Sequence, residues 1–139
     1  KKPSSRVLVC TPSNAAVDVI ALRTKNSEYF KRKFPLLHRI GFLYRFGNKK
    51  KMDARVKSLR PATNSQYMQA AQSPQCIVFA TLNSCQPYAL TNKISEMAFD
   101  LVIIDEAGQS SEVETLMPFA YKCNTFVFAP IFHELNSKI

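Results

Sequence analysis

Phe99-Asp100-Leu101-Val102-Ile103-Ile104-Asp105-Glu106-Ala107-Gly108-Gln109 is the stretch on which the fold turns. Leu101–Ile104 is apolar without interruption and too short for a helix, as expected of a parallel strand covered on both faces. Such a strand delivers Asp105 and Glu106 at its C-terminal end, the edge at which open α/β sheets bind ligands. Neighbouring strand residues point to opposite sides, so the two carboxylates can serve separate roles. One can hold Mg²⁺, directly or through water, while the other orients or deprotonates an attacking water. A bare acidic pair also closes many ordinary turns, so the surrounding sequence has to decide.

Three further runs read as strands of the same kind: Val7–Cys10, Cys76–Ala80 and Phe126–Ala129. Helix-compatible segments follow the first three of the four strands, and the last runs into Pro130. Repeated strand–helix units predict an α/β domain with a parallel sheet. A helix is expected from Ala15 to about Phe34, capped by Ser13 or Asn14 and ended by Pro35. A second is expected over Asn64–Gln72. Residues 36–75 read as a basic insertion within a single domain, 1–139. In that insertion, Leu37–Leu43 is a candidate short strand and Gly47-Asn48 a turn.

Composition narrows the classes. A chain of 139 residues with 46% hydrophobic and 21% charged residues can bury one core, which excludes wholesale disorder. No apolar run approaches the ~20 residues of a membrane span, so a membrane is not an expected partner. The net charge of +9 is split: residues 1–60 hold 16 Lys+Arg against 3 Asp+Glu, and residues 61–139 hold 3 against 7. The first part therefore carries +13 and the second −4. A polyanion-binding surface and a merely solvated basic face both fit that split. The densest cations are Lys49, Lys50, Lys51, Arg55, Lys57 and Arg60, preceded by Phe42, Tyr44 and Phe46, whose rings can stack on bases or pack in the core. Cys10, Cys76, Cys85 and Cys123 lack C-x-x-C spacing, which argues against zinc; Cys10 and Cys76 sit in apolar runs, as small hydrophobes do.

The longer context of the acidic pair is specific. Asp105-Glu106-Ala107-Gly108-Gln109 resembles the Walker B motif of superfamily 1 helicases. Val7-Leu8-Val9-Cys10-Thr11-Pro12-Ser13-Asn14, continuing to Asp18, resembles motif Ia of the same group. Cys76–Ser84 takes the place of the Thr-bearing strand and loop between them. Ser110–Pro118 resembles the helix that follows Walker B in the senataxin and up-frameshift branch. The resemblance implies part of a first RecA-like P-loop NTPase domain, with ATP and Mg²⁺ bound between it and a second RecA-like domain in the complete helicase. It implies that Asp105 holds Mg²⁺ through water, that Glu106 activates the hydrolytic water and that Gln109 links the nucleotide site to neighbouring motifs. Pro12, Ser13, Asn14 and Thr81 would face single-stranded RNA or DNA, with Lys49, Lys50 and Lys51 near its path. Nuclear residence is implied, with the cytoplasm as the alternative.

Two departures qualify that implication. No Gly-x-x-x-x-Gly-Lys-Ser/Thr loop occurs in the chain, so the Walker A cradle is expected upstream of Lys1. Where the family has Gly-Asp-Pro-x-Gln-Leu, this sequence has Pro130-Ile131-Phe132-His133-Glu134-Leu135, and Glu134 in the Gln position sets an anion against phosphate. The chain alone is thus expected to lack ATPase activity. Two functional readings stand: a fragment of an ATP-dependent helicase, or a catalytically inactive helicase-derived module that binds nucleic acid or protein.

Overall fold

The computed structural model describes residues 5–35, 42–85 and 98–129. The apolar runs become strands β1 (Ser5–Thr11), β3 (Gln75–Thr81), β4 (Leu101–Ile104) and β5 (Phe126–Phe128), joined by a short edge strand β2 (Leu43–Arg45). The order is β2-β3-β1-β4-β5, and every pairing is parallel. This is the α/β sheet of a RecA-like fragment, as the resemblance implies. The ladder outruns β5, because the Ala129 N–H donates to the Ile104 carbonyl at 2.8 Å.

The uninterrupted apolar character of the strands follows from a pleat buried on both sides. Leu8, Cys10, Cys76, Val78, Ala80, Val102 and Ile104 pack on one face with Phe46, Leu82 and Tyr121. Their alternates Val9, Phe79, Ile77 and Ile103 pack on the other with Val17, Ala21, Met52 and Val56. Helix α1 (Asn14–Asn26) supplies Val17 and Ala21 to that second face. In β1, β3 and β4 both phases of the period-2 alternation are apolar because both faces are covered, whereas β5, expected to be covered in the same way, leaves Val127 and Phe128 exposed.

The expected helix from Ala15 to Phe34 is two helices. α1 stops at Asn26, and α2 runs Glu28–Lys33. Ser27 breaks them with ψ 113: its N–H donates to the Thr24 carbonyl, and its Oγ accepts from the Phe30 N–H at 3.1 Å, so one residue ends the first helix and caps the second. Asn64–Gln72 forms α3, capped by Thr63. A short α4, Glu112–Leu116, begins in a capping box between Ser111 and Glu114. Residues 36–41 and 130–139, with most of the expected strand Leu37–Leu43, Gly41 and the segment from Pro130 to Leu135, lie outside the described residues.

The topology places the ligand edge. From β1 the chain moves to the β2 side; from β4 it moves outward to β5. Adjacent parallel strands whose connections depart in opposite directions open a crevice at their C-terminal ends. At that crevice Pro12-Ser13 follows β1 and Asp105-Glu106 follows β4.

Candidate functional site

The register of β1 on β3 sets Thr11 opposite Thr81, both buried, at the top of the sheet. Beyond β1 the Thr11 hydroxyl donates to the Ser13 carbonyl at 2.8 Å and tightens the turn through Pro12. Ser13 is the N-cap of α1, its Oγ accepting from the Ala16 N–H at 3.1 Å. Beyond β3 the Thr81 hydroxyl lies 2.8 Å from the Ser84 hydroxyl and accepts from the Ser84 N–H.

A second layer comes from the basic stretch. Asn48 caps the 3₁₀ turn Lys49–Lys51, accepting from the Lys50 N–H, and Asp53 caps a second turn, Ala54–Leu59. The Arg55 guanidinium and backbone N–H hold the Asp53 carboxyl down at about 2, against an ordinary 3.8. The two layers enclose an open groove of about 1050 Å³. Pro12, Asn14 and Thr81 line it from the sheet edge, and Lys49, Lys50, Lys51, Lys57 and Arg60 from the basic turns. No carboxylate lines it among the described residues, and none of these four lysines is in an ion pair there. Ser13 is the one expected strand-facing residue outside the lining; its hydroxyl oxygen is used in capping.

The aromatic reading resolves toward packing for two rings. Phe46 is fully buried and Tyr44 nearly so, which removes both from any base. Tyr67 of α3, stacked on Phe46 with centroids 5.3 Å apart, instead presents an aromatic surface to the groove. It went unnoticed in the sequence because a single Tyr in a polar helix carries no pattern.

Arg45 is the other residue sequence reasoning missed. It ends β2 with no exposed surface. Its Nε donates to Asp18 Oδ1 at 2.6 Å, its Nη2 to Asn14 Oδ1 at 2.9 Å, and its Nη1 to the Phe46 carbonyl. The other oxygen of Asp18 accepts the Asp53 N–H at 2.7 Å. Gly47 makes room for this: φ is +137°, and a Cβ there would stand 3.0 Å from Arg45 Nη1. The available signal was Asp18, an acid between Val17 and Ala21 on a helix that must bury a face.

The carboxylate pair sits differently from the expectation of two adjacent strand residues. β4 ends at Ile104, and the Asp105 N–H still bonds the Cys10 carbonyl at 2.9 Å. Glu106 then takes a left-handed conformation, φ 56° and ψ 32°, before the turn Ala107–Gln109. A non-glycine residue there costs about 1–2 kcal/mol, so a sharp turn and not the pleat separates the two carboxylates. Both are half-buried, and neither is in an ion pair among the described residues. Gln109 is exposed.

The cysteines are packing groups. Cys10, Cys76 and Cys85 are buried, and burial pushes the Cys10 and Cys76 thiols above their ordinary range. No cluster of three His, Cys, Asp or Glu suited to a metal occurs among the described residues.

Residues 47–129 match a family model described as "AAA domain". The chain is 37% identical to "Probable helicase MAGATAMA 3" of Arabidopsis thaliana over 140 aligned positions, covering 88% of this chain and 17% of that protein. It is 29% identical to "RNA helicase Mov10l1" of Homo sapiens over 84% of this chain and 9% of that one, and the Mus musculus protein of the same name matches to the same extent. The chain thus spans less than a fifth of the curated relatives it matches.

Proposed function

Because the chain belongs to the AAA-domain helicases of superfamily 1, in the up-frameshift-like group, we propose that it is the strand-gripping and Walker B portion of a helicase motor. On this reading the groove takes single-stranded RNA or DNA, and the carboxylate turn serves ATP hydrolysis in the assembled helicase. The observation that carries the reading is the groove itself. Pro12, Asn14 and Thr81, at and just beyond the ends of β1 and β3, meet Lys49, Lys50 and Lys51 across one cleft with no carboxylate in its lining among the described residues. Hydroxyl, amide and ammonium donors suit phosphate oxygens and carry no sequence preference.

The carboxylates suit the second role. Mg²⁺ is bound through one or two carboxylates plus waters and substrate phosphates, not by an all-protein cage. Asp105, half-buried and outside any ion pair among the described residues, fits that mode. Bound Mg²⁺ would neutralise charge on the phosphates of ATP. Glu106, one residue on and turned away by its left-handed backbone, would orient a water and accept its proton.

The rest of the helicase core, including a second RecA-like domain, is the proposed protein partner. At β5, Phe119 stacks on Phe126 and Phe128, yet Phe119, Val127 and Phe128 stay exposed. Exposed apolar side chains at a strand that has no outer neighbour among the described residues favour cover by another unit. The alternative, a catalytically inactive binding module, is favoured by Glu134 in the place of the phosphate-sensing Gln.

The test is strand-stimulated ATP hydrolysis by the helicase that contains this domain. Glu106→Gln is expected to lower turnover by about 10²–10⁴-fold. Unchanged turnover would remove the catalytic assignment and leave the binding module.

A further inference from the structure

Arg45 has no contact with the groove, yet it fixes what the groove presents. We propose that Arg45 is a positioning residue for strand binding: held by Asp18, it sets the Asn14 carboxamide so that its N–H₂ group faces the bound phosphate. The inference rests on the groove being the strand site.

The orientation of Asn14 follows from hydrogen-bond chemistry. A guanidinium has five donors and no acceptor, so the Asn14 atom it touches at 2.9 Å has to be the oxygen. The Nδ2 group is thereby directed away from Arg45, and it meets no acceptor among the described residues. Asn14 is half-buried and lines the groove, so its two N–H donors are left for a ligand. A ligand accepting there needs lone pairs and gains from negative charge, which a phosphodiester oxygen supplies.

Arg45 is itself held rigidly. Three of its nitrogens have separate partners on α1 and on its own strand end, and it is wholly buried. Asp18 divides its oxygens between Arg45 and the Asp53 N–H, which also ties the base of the Lys49–Lys51 turn to α1. One buried pair thus sets both sides of the cleft: the amide on the sheet edge and the cations opposite. A lysine at position 45 would reach one of these acceptors as a point charge but could not span them in a planar fork.

Asn14→Asp separates positioning from folding. Aspartate keeps an acceptor for Arg45 and adds a favourable charge, so thermal stability is expected to be kept or raised. The outward donor becomes a carboxylate oxygen, and affinity for a short labelled oligo-uridine is expected to fall about tenfold or more in fluorescence anisotropy. Arg45→Lys should weaken binding several-fold alone and add nothing when combined with Asn14→Asp, because both act through the same amide. Full affinity in Asn14→Asp, or independent losses in the double variant, would overturn the positioning role while leaving the groove as the strand site. Absence of binding by the unmodified chain would overturn the groove reading and this proposal with it.

Discussion

At the β2–β3–β1 end of the sheet the polar groups are buried and tied to one another; at the β4–β5 end they stand open. Arg45, Asp18 and Asn14 form a continuous network beneath the basic turns. Asp105 and Glu106, at the same C-terminal edge, have no ion pair among the described residues and ride on a left-handed turn. Beside them β5 exposes Val127 and Phe128. The first end carries its own second layer and reads as a finished surface. The second places its two carboxylates half-buried and without a partner cation among the described residues. The uneven split of charge along the sequence therefore has a partly spatial meaning: the lysines of the basic turns line the closed end, where Asp18 and Asp53 are paired with arginines, and Asp105 and Glu106 stand at the open one.

The contrast is broken most severely through Asp18. Asp18→Ala strands the Arg45 guanidinium in the interior, and losing one partner of a buried pair costs about 3–5 kcal/mol. Urea unfolding should show that loss; a change within about 0.5 kcal/mol, the range of ordinary surface substitutions, would mean the network contributes little to stability. The opposite sign is expected at the open end. Glu106→Gly relieves the left-handed backbone and should stabilise by about 1 kcal/mol, read from the same unfolding midpoint. A loss of stability there would show that the Glu106 side chain holds the turn.

The smallest effect concerns pH. The Asp53 carboxyl is held near 2 when folded, below its ordinary 3.8. A depressed carboxyl contributes stability above the unfolded value and loses it as pH falls through the folded one, so the window runs from about pH 4 down to about 2. Asp53→Asn should flatten the fall in melting temperature across that window, slightly, because the Asp53–Arg55 pair lies at the surface, where solvent screens it. An unchanged acid limb would assign that slope to other carboxylates.

Much of the open end was legible in the sequence. Leu101–Ile104 had to be a doubly covered strand, and that alone put Asp105 and Glu106 at a ligand edge. The left-handed Glu106 was not legible, because a glutamate gives no sign that its backbone adopts a conformation glycine would prefer. Most of the closed end stayed hidden. Arg45 and Asp18 are 27 positions apart, and only the folding of β2 against β3 brings them together. Tyr44 and Phe46 fitted base stacking and core packing equally until burial separated the two readings. The break at Ser27 was missed because a run of helix-compatible residues does not reveal a serine that caps one helix while ending another.

The central claim is that the closed end grips phosphates, and salt-dependent binding tests it most directly. Anisotropy of a labelled single strand, measured across a salt series, gives a log–log slope of about −0.7 for each phosphate neutralised. The unmodified chain should bind with a steep slope, and the Lys49→Ala, Lys50→Ala, Lys51→Ala triple variant should shallow it by about 2. A strand bound equally well at every salt concentration, or a slope the triple variant leaves untouched, would contradict the account.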